Sequence, residues 1–142
     1  IGVENNLFRS ASLWKKKAHS SDYPEEQRIP LEVLIDQLNQ EDIDYSILRR
    51  LVDYPQFARF HLFNRYVGSP NVDNEHNWRL YFDYSTGKFY PIVWDAEGWQ
   101  SDRVISTVSH DLDRVLLSDA EFRDVIEEER KNSYFCSLPY NA

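Results

Sequence analysis

The sequence of 142 residues contains few of the residue types on which several common functional sites depend. Its four glycines form neither a Walker phosphate-binding loop nor a dinucleotide-binding fingerprint. Its single cysteine, Cys136, excludes an internal disulfide framework and a cysteine-based zinc site. There is no Gly-x-Ser-x-Gly elbow, and serine, histidine and aspartate follow no recognised triad order. These absences disfavour P-loop nucleotide hydrolysis, Rossmann redox chemistry and serine hydrolysis.

The sequence also has fewer basic than acidic residues, and it has no long apolar run. The chain has 16 basic and 24 acidic residues, and its net charge is −8. Such an acidic balance disfavours nucleic acids and anionic membranes as partners, because binding to either depends on neutralising phosphate groups. The basic run Lys15 to Lys17 is too short to reverse that balance. No segment approaches the roughly 20 apolar residues of a membrane helix, so we predict no membrane span in this chain.

What the sequence does have is enough apolar material for one core. Hydrophobic residues make up 42% and aromatic residues 15% of the chain, without a low-complexity tract. We find no internal repeat and no linker that would separate two domains. Residues 1–142 are therefore interpreted as a single domain or a fragment of one. Residues 1–28 show no firm hydrophobic period and are predicted to be irregular.

Helical periodicity dominates outside the centre of the sequence. Pro30 stands where the first turn of a helix tolerates proline, and a second short helix is expected after Asp42. A third helix should begin at Asp53 and Pro55, and residues 110–117 are also read as helical. The pattern Ser118 to Glu121 resembles a capping box that opens a last helix through about residue 130. The predicted inward positions are Leu31, Leu34, Ile35, Leu38, Ile43, Ile47, Leu48, Leu51, Phe57, Phe60, Phe63, Val67, Phe122, Val125 and Ile126.

Two short strands are predicted in the middle of the chain, at residues 78–84 and 88–94. Apolar side chains alternate along both segments, which is the period of a strand. Trp78, Leu80 and Phe82 share one face of the first strand, and Tyr90, Ile92 and Trp94 share one face of the second. The connection Ser85-Thr86-Gly87 contains the glycine expected of a tight hairpin.

Polar side chains cluster in sequence on both sides of this hairpin. Asp73 and Asn77 precede the first strand, while Asp95 and Glu97 follow the second. The hairpin would bring Asp73, Asn77 and Asp95 together at one end. Carboxylate and amide oxygens suit Mg²⁺, which usually keeps water and substrate phosphates as its other ligands. The layout is that of a phosphoryl-transfer site, although loop aspartates more often stabilise turns than catalyse reactions.

With these motifs in order, the chain resembles the CotH-type kinases, a family of atypical protein kinases first associated with bacterial spore coats. The resemblance covers about residues 50–125, and its specific part is the pair Asn71-x-Asp73 and Pro91-x-x-Trp94-Asp95. The matching segments are residues 53–60 (DYPQFARF), 66–73 (YVGSPNVD), 77–78 (NW), 86–95 (TGKFYPIVWD) and, more weakly, 119–123 (DAEFR).

The order of helices, loop and hairpin predicts an α+β fold, in which a mostly helical body carries a central antiparallel β-hairpin, similar to a protein kinase C-lobe. The resemblance assigns Asp73 to the catalytic position that accepts or orients the proton of the substrate hydroxyl. Asn77 and Asp95 would hold the Mg²⁺ that bridges the phosphates of ATP, and Glu97 would be an auxiliary metal ligand. The family commonly has one more residue between its loop aspartate and asparagine, which leaves Asn74 or Glu75 as substitutes for Asn77.

The resemblance further implies ATP- and Mg²⁺-dependent phosphoryl transfer to Ser or Thr of a protein substrate, and it suggests an extracytoplasmic or surface location. This chain would be the C-lobe portion of the kinase, because no glycine-rich covering loop or lysine-bearing strand pattern precedes Asp73. The alternative is a non-catalytic module, either a pseudokinase or a cell-surface adhesive protein. A glycosidase carboxylate pair drawn from Asp73, Asp95 and Glu97 would leave Asn77 unexplained.

Overall fold

The computed structural model describes residues 7–14, 25–67, 78–93 and 111–132, and these form a mostly helical α+β fold, as predicted. Short 3₁₀ turns occupy Leu7–Arg9, Ala11–Leu13 and Glu25–Arg28. The regular elements are α1 (Ile29–Leu38), α2 (Tyr45–Leu51), α3 (Tyr54–Val67), β1 (Leu80–Asp83), β2 (Lys88–Pro91), α4 (Asp111–Leu117) and α5 (Ala120–Lys131). Among the described residues, no helix is long and apolar enough to cross a membrane.

The N-terminal segment contributes to the core although its sequence has no period. Phe8, in the first 3₁₀ turn, is only 1% exposed. The side-chain amide of Asn39, just after α1, donates to the carbonyl oxygens of Phe8 at 2.7 Å and of Ile35 at 2.8 Å. This residue therefore both ends α1 and holds Phe8 in place. The predicted inward stripe of α1 is confirmed, since all four of its members are buried: Leu31, Leu34, Ile35 and Leu38.

Two aspartates set where α2 and α3 begin. Asp44 Oδ1 accepts a hydrogen bond from Ser46 N at 2.9 Å, so α2 begins two residues later than a start directly after Asp42 would give. Asp53 Oδ1 accepts from Gln56 N at 3.0 Å at the start of α3. Phe57 and Phe60 are buried as predicted, but Phe63 is only half-buried. The buried surface of α3 also includes Ala58, His61 and Leu62, so it is broader than a single stripe.

The predicted hairpin is confirmed, with shorter strands and a longer turn. β1 and β2 pair antiparallel with Leu80 opposite Pro91 and Phe82 opposite Phe89. The connection comprises residues 84–87, one residue more than predicted, because Tyr84 belongs to the turn. The Asp83 carboxylate accepts from Ser85 N at 2.8 Å and Ser85 Oγ at 2.7 Å. Gly87, at φ +69°, has the left-handed backbone conformation that this turn requires.

The hairpin is joined to the helical body through β2. Asp53 N donates to Phe89 O at 3.1 Å, and Val52 forms an isolated parallel bridge with Phe89. The Phe89 side chain is buried, whereas Tyr90 on the opposite face is half-exposed. The inward residue of β2 is therefore Phe89, and the predicted face of Tyr90 and Ile92 is not the buried one; Trp94, its third member, lies outside the described residues.

The last two helices are as predicted, except that the cap of α5 is one residue further on. The expected capping residue Ser118 is wrong, because Ser118 Oγ donates to Arg114 O at the end of α4. Asp119 is the N-cap of α5, and its Oδ1 accepts from Glu121 N at 3.1 Å. Phe122 and Ile126 are fully buried, and α5 packs mainly along α3.

Candidate functional site

The four residues predicted to form the site all lie outside the described part of the chain. Asp73 and Asn77 fall between Val67 and Trp78, while Asp95 and Glu97 fall between Val93 and Asp111. The substitutes Asn74 and Glu75 fall in the first of these gaps. What the structure describes is the frame around both segments: the end of α3, the hairpin, and the start of α4.

Trp78 anchors the chain directly after Asn77. Its side chain is buried and packs edge-on against Phe8, with ring centroids 5.2 Å apart, and in a tilted arrangement against Phe60 at 5.5 Å. Phe8 in turn contacts Trp14, whose Nε1 donates to Leu7 O at 2.7 Å. One end of the segment that carries Asp73 and Asn77 is therefore held in the aromatic part of the core.

The two chain ends of the hairpin lie side by side. Leu80 pairs with Pro91, and Ile92 N donates to Arg79 O at 3.0 Å, which extends the pairing beyond the strands. Asn77 comes two residues before Arg79, and Asp95 comes three residues after Ile92. Asn77 and Asp95 themselves lie outside the described part of the chain.

The helix that leads into the first segment is fixed at its beginning and along its length. Its first turn is tied to β2 through Asp53 and Phe89, as described above. α3 packs along α5, where the ring of Tyr54 meets that of Phe122 at 5.1 Å, and the bond from Arg59 to Glu129 at 2.7 Å is an exposed ion pair outside this packing. The direction in which α3 delivers the chain at Val67 is therefore set by contacts with both β2 and α5.

A buried polar pair connects α3 to α4. His61 is 7% exposed, and its Nδ1 lies 3.0 Å and 3.1 Å from the two carboxylate oxygens of Asp113. Because a carboxylate accepts hydrogen bonds, Nδ1 carries the proton that is donated to Asp113. The other ring nitrogen, Nε2, is buried and has no hydrogen-bond partner among the described residues.

A second buried carboxylate, that of Asp119, joins three helices. It accepts from Arg49 of α2 at 3.0 and 3.1 Å, from Tyr54 of α3 at 2.6 Å, and from the backbone of α5. Burial acts to raise the pKa of Asp119, but the hydrogen bonds from Arg49 and Tyr54 outweigh it and leave that pKa below its ordinary value. Burial, followed by the hydrogen bond to Asp119, raises the pKa of Tyr54.

Sequence reasoning missed both buried pairs. His61 lies in an apolar helix where a lone histidine carries no signal, and its partner is 52 residues away. In the sequence, Asp119 is only part of a weak family feature and a residue inside the capping pattern. Within the described ranges, no group of three or more His, Cys, Asp or Glu side chains could hold a metal ion.

Comparison with known proteins places the chain in one family. Residues 5–135 match the family model described as CotH kinase protein, which is most of the chain. Searches of curated proteins and of solved structures gave no match. The resemblance is therefore confirmed at the level of the family, and the match extends beyond residues 50–125, which carry the motifs.

Proposed function

Since the chain belongs to the CotH kinase family, we propose that it takes part in ATP- and Mg²⁺-dependent phosphoryl transfer to a Ser or Thr hydroxyl of a protein substrate. The observation that carries this proposal is the family match over residues 5–135. The hairpin supports it, because its two ends lie side by side where the segments with Asp73, Asn77 and Asp95 begin or end.

The donor set fits the cation that this chemistry needs. Asn77, Asp95 and Glu97 offer amide and carboxylate oxygens, which are the ligands of Mg²⁺, and no thiolate or imidazole is required. We assign Asp95 as the main ligand, Asn77 as the second and Glu97 as an auxiliary. When bound, Mg²⁺ neutralises negative charge on the phosphates of ATP.

We assign Asp73 as the base that accepts the proton of the substrate hydroxyl. The hydroxyl oxygen forms a bond to the γ-phosphorus while the bond from that phosphorus to the β,γ-bridging oxygen breaks and ADP leaves. The hydroxyl proton passes to the Asp73 carboxylate. Little covalent chemistry falls to the protein in such a transfer, so positioning and charge neutralisation provide most of the rate enhancement. Such positioning requires a rigid frame around the segments that carry Asp73 and Asp95.

The decisive variant is Asp95→Ala. We expect it to lower the rate of phosphoryl transfer by about 10²- to 10³-fold, because it removes a charge that stabilises the transition state. Glu97→Gln should have a smaller effect, since Glu97 is an auxiliary ligand. The measurement is transfer of labelled phosphate from ATP to protein substrate by the full-length protein, at saturating Mg²⁺, with a thermal unfolding curve for each variant.

The same assay separates the proposal from its alternative. Wild-type activity in the Asp95→Ala variant would show that the metal ligand is wrongly assigned. Folded wild-type protein that transfers no phosphate to any candidate substrate would instead favour the non-catalytic interaction module.

A further inference from the structure

We propose that His61 and Asp113 are positioning residues, whose hydrogen bond fixes α3 relative to the start of α4. The proposal rests on the proposed function, because these two helices border the segments to which we assign the catalytic and metal-binding residues. It adds two residues that no sequence motif identified, and it assigns them a role through Asp73 and Asp95 and not in contact with substrate.

The geometry of the pair restrains more than a distance. Nδ1 of His61 lies almost equally far from both Asp113 oxygens, at 3.0 and 3.1 Å, and both side chains are largely buried. A hydrogen bond is directional, whereas apolar contact is not. The pair therefore restrains the rotation of α3 about its axis as well as its separation from α4.

The His61–Asp113 pair lies on the two helices that border residues 68–77 and residues 94–110. His61 lies six residues before Val67, the end of α3, and Asp113 lies in the first turn of α4. α3 packs chiefly on α5, and α4 packs on α1 and α5. The pair thus connects two helices whose larger contacts are made with other elements, and it joins the middle of α3 to the first turn of α4.

A gain in stability does not explain why His61 and Asp113 are polar. Nε2 of His61 is buried without a partner among the described residues, and a buried polar atom without a hydrogen bond destabilises the fold. Well-packed apolar residues of similar volume often match or exceed the stability of a buried polar pair. A directional link at this position is therefore explained better by the geometry that it imposes on the site.

The test compares three variants of the full-length protein. The double variant His61→Leu/Asp113→Leu removes the link without leaving an unpaired carboxylate. His61→Asn retains a side-chain amide donor near the position of Nδ1 and should rescue part of the function. Arg59→Leu is the matched control, because it removes a different polar link of the same helix, the exposed ion pair with Glu129.

We expect the double variant to keep the wild-type unfolding midpoint or exceed it, while kcat falls about tenfold or more and the KM for ATP changes less. His61→Asn should lie between the double variant and wild type, and Arg59→Leu should keep the wild-type kcat. A double variant with wild-type kcat would overturn the proposal. Parallel loss of stability and activity would also overturn it, because that is the signature of a purely structural role.

A second readout does not depend on catalysis. Amide hydrogen exchange in peptides covering residues 68–77 and 94–110 should be faster in the double variant than in wild type, and unchanged in Arg59→Leu. Unchanged exchange in the double variant would overturn the positioning role even if the protein is an active kinase. Conversely, absent phosphate transfer by wild type would refute the proposed function, and the exchange result would still decide whether the pair fixes these segments.

Discussion

At the scale of single residues, Asp119 shows how one carboxylate can hold several helices. The side chain is 5% exposed, caps α5, and accepts hydrogen bonds from Arg49 of α2 and Tyr54 of α3. Glu121 also pairs with Arg49 at 2.8 Å, but it is 57% exposed. Two acidic residues thus share one guanidinium, and only one of them is buried.

This contrast predicts unequal effects of removing the two acids. Asp119→Ala should lower the free energy of unfolding by about 2–4 kcal/mol, because it removes a helix cap and leaves the buried Tyr54 hydroxyl without its acceptor. Glu121→Gln should change it by less than about 1 kcal/mol, the range of an exposed ion pair. Urea unfolding of both variants measures the difference. Equal losses would show that Asp119 does not hold these helices as described.

The depressed pKa of Asp119 predicts how its contribution varies with pH. A carboxyl group whose pKa is lower in the folded than in the unfolded state stabilises the fold above its unfolded pKa, about 3.9. That stabilisation is lost as the pH falls through the folded pKa. The difference in unfolding free energy between wild type and Asp119→Asn should therefore be constant from about pH 5 to 8 and shrink below about pH 4. A difference that grows on acidification would contradict the assignment.

At the scale of elements, the sequence predicts where helices and strands occur better than where they end. The alternation of Trp78, Leu80 and Phe82 and the glycine at position 87 were sufficient to predict the hairpin. The choice of Phe89 as the inward residue of β2 was not predictable, because aromatic residues occupy both faces and the Val52 bridge decides between them. Likewise Ser118 and Asp119 are both good capping residues, and burial against Arg49 and Tyr54 selects Asp119.

The turn of the hairpin gives a prediction at this scale. Gly87→Ala should destabilise the fold by about 1–2 kcal/mol, the typical penalty for a residue with a Cβ in the left-handed region. An added Cβ at this position would meet nothing within 4 Å, so the effect is conformational and not steric. Gly87→Asn is the matched control and should be milder, because asparagine tolerates this conformation. Unfolding midpoints that rank alanine above asparagine would contradict this account.

At the scale of the whole molecule, the sequence motifs suggest which residues carry the chemistry, and the fold shows which elements support the segments that contain them. Composition and the two acidic motifs were enough to suggest the chemistry and, through the resemblance, the family. The packing around these segments could not be predicted from the motifs. Phe8, Asn39 and His61 contact partners that are distant in the chain. Long-range contacts of this kind carry no local pattern, so the positioning of α3 emerges only from the packed structure.

The described elements also predict how weakly residues 1–142 should bind nucleotide by themselves. Kinases hold ATP between two lobes, with a strand-borne lysine on its phosphates and a glycine-rich loop above them. In the described part of residues 1–67 there are helices and 3₁₀ turns but no strand beyond the bridge at Val52.

We therefore expect residues 1–142 alone to bind Mg²⁺–ATP with millimolar affinity or more weakly, since a few oxygen ligands without a phosphate-binding lysine and a covering loop would be screened by water. Isothermal calorimetry on the isolated chain measures this affinity. The same titration of a longer form of the protein that supplies a lysine-bearing lobe is the control, and it should give micromolar binding. Micromolar binding to residues 1–142 alone would mean that the nucleotide contacts groups other than Asn77, Asp95 and Glu97, and the assignment of these ligands would then be wrong.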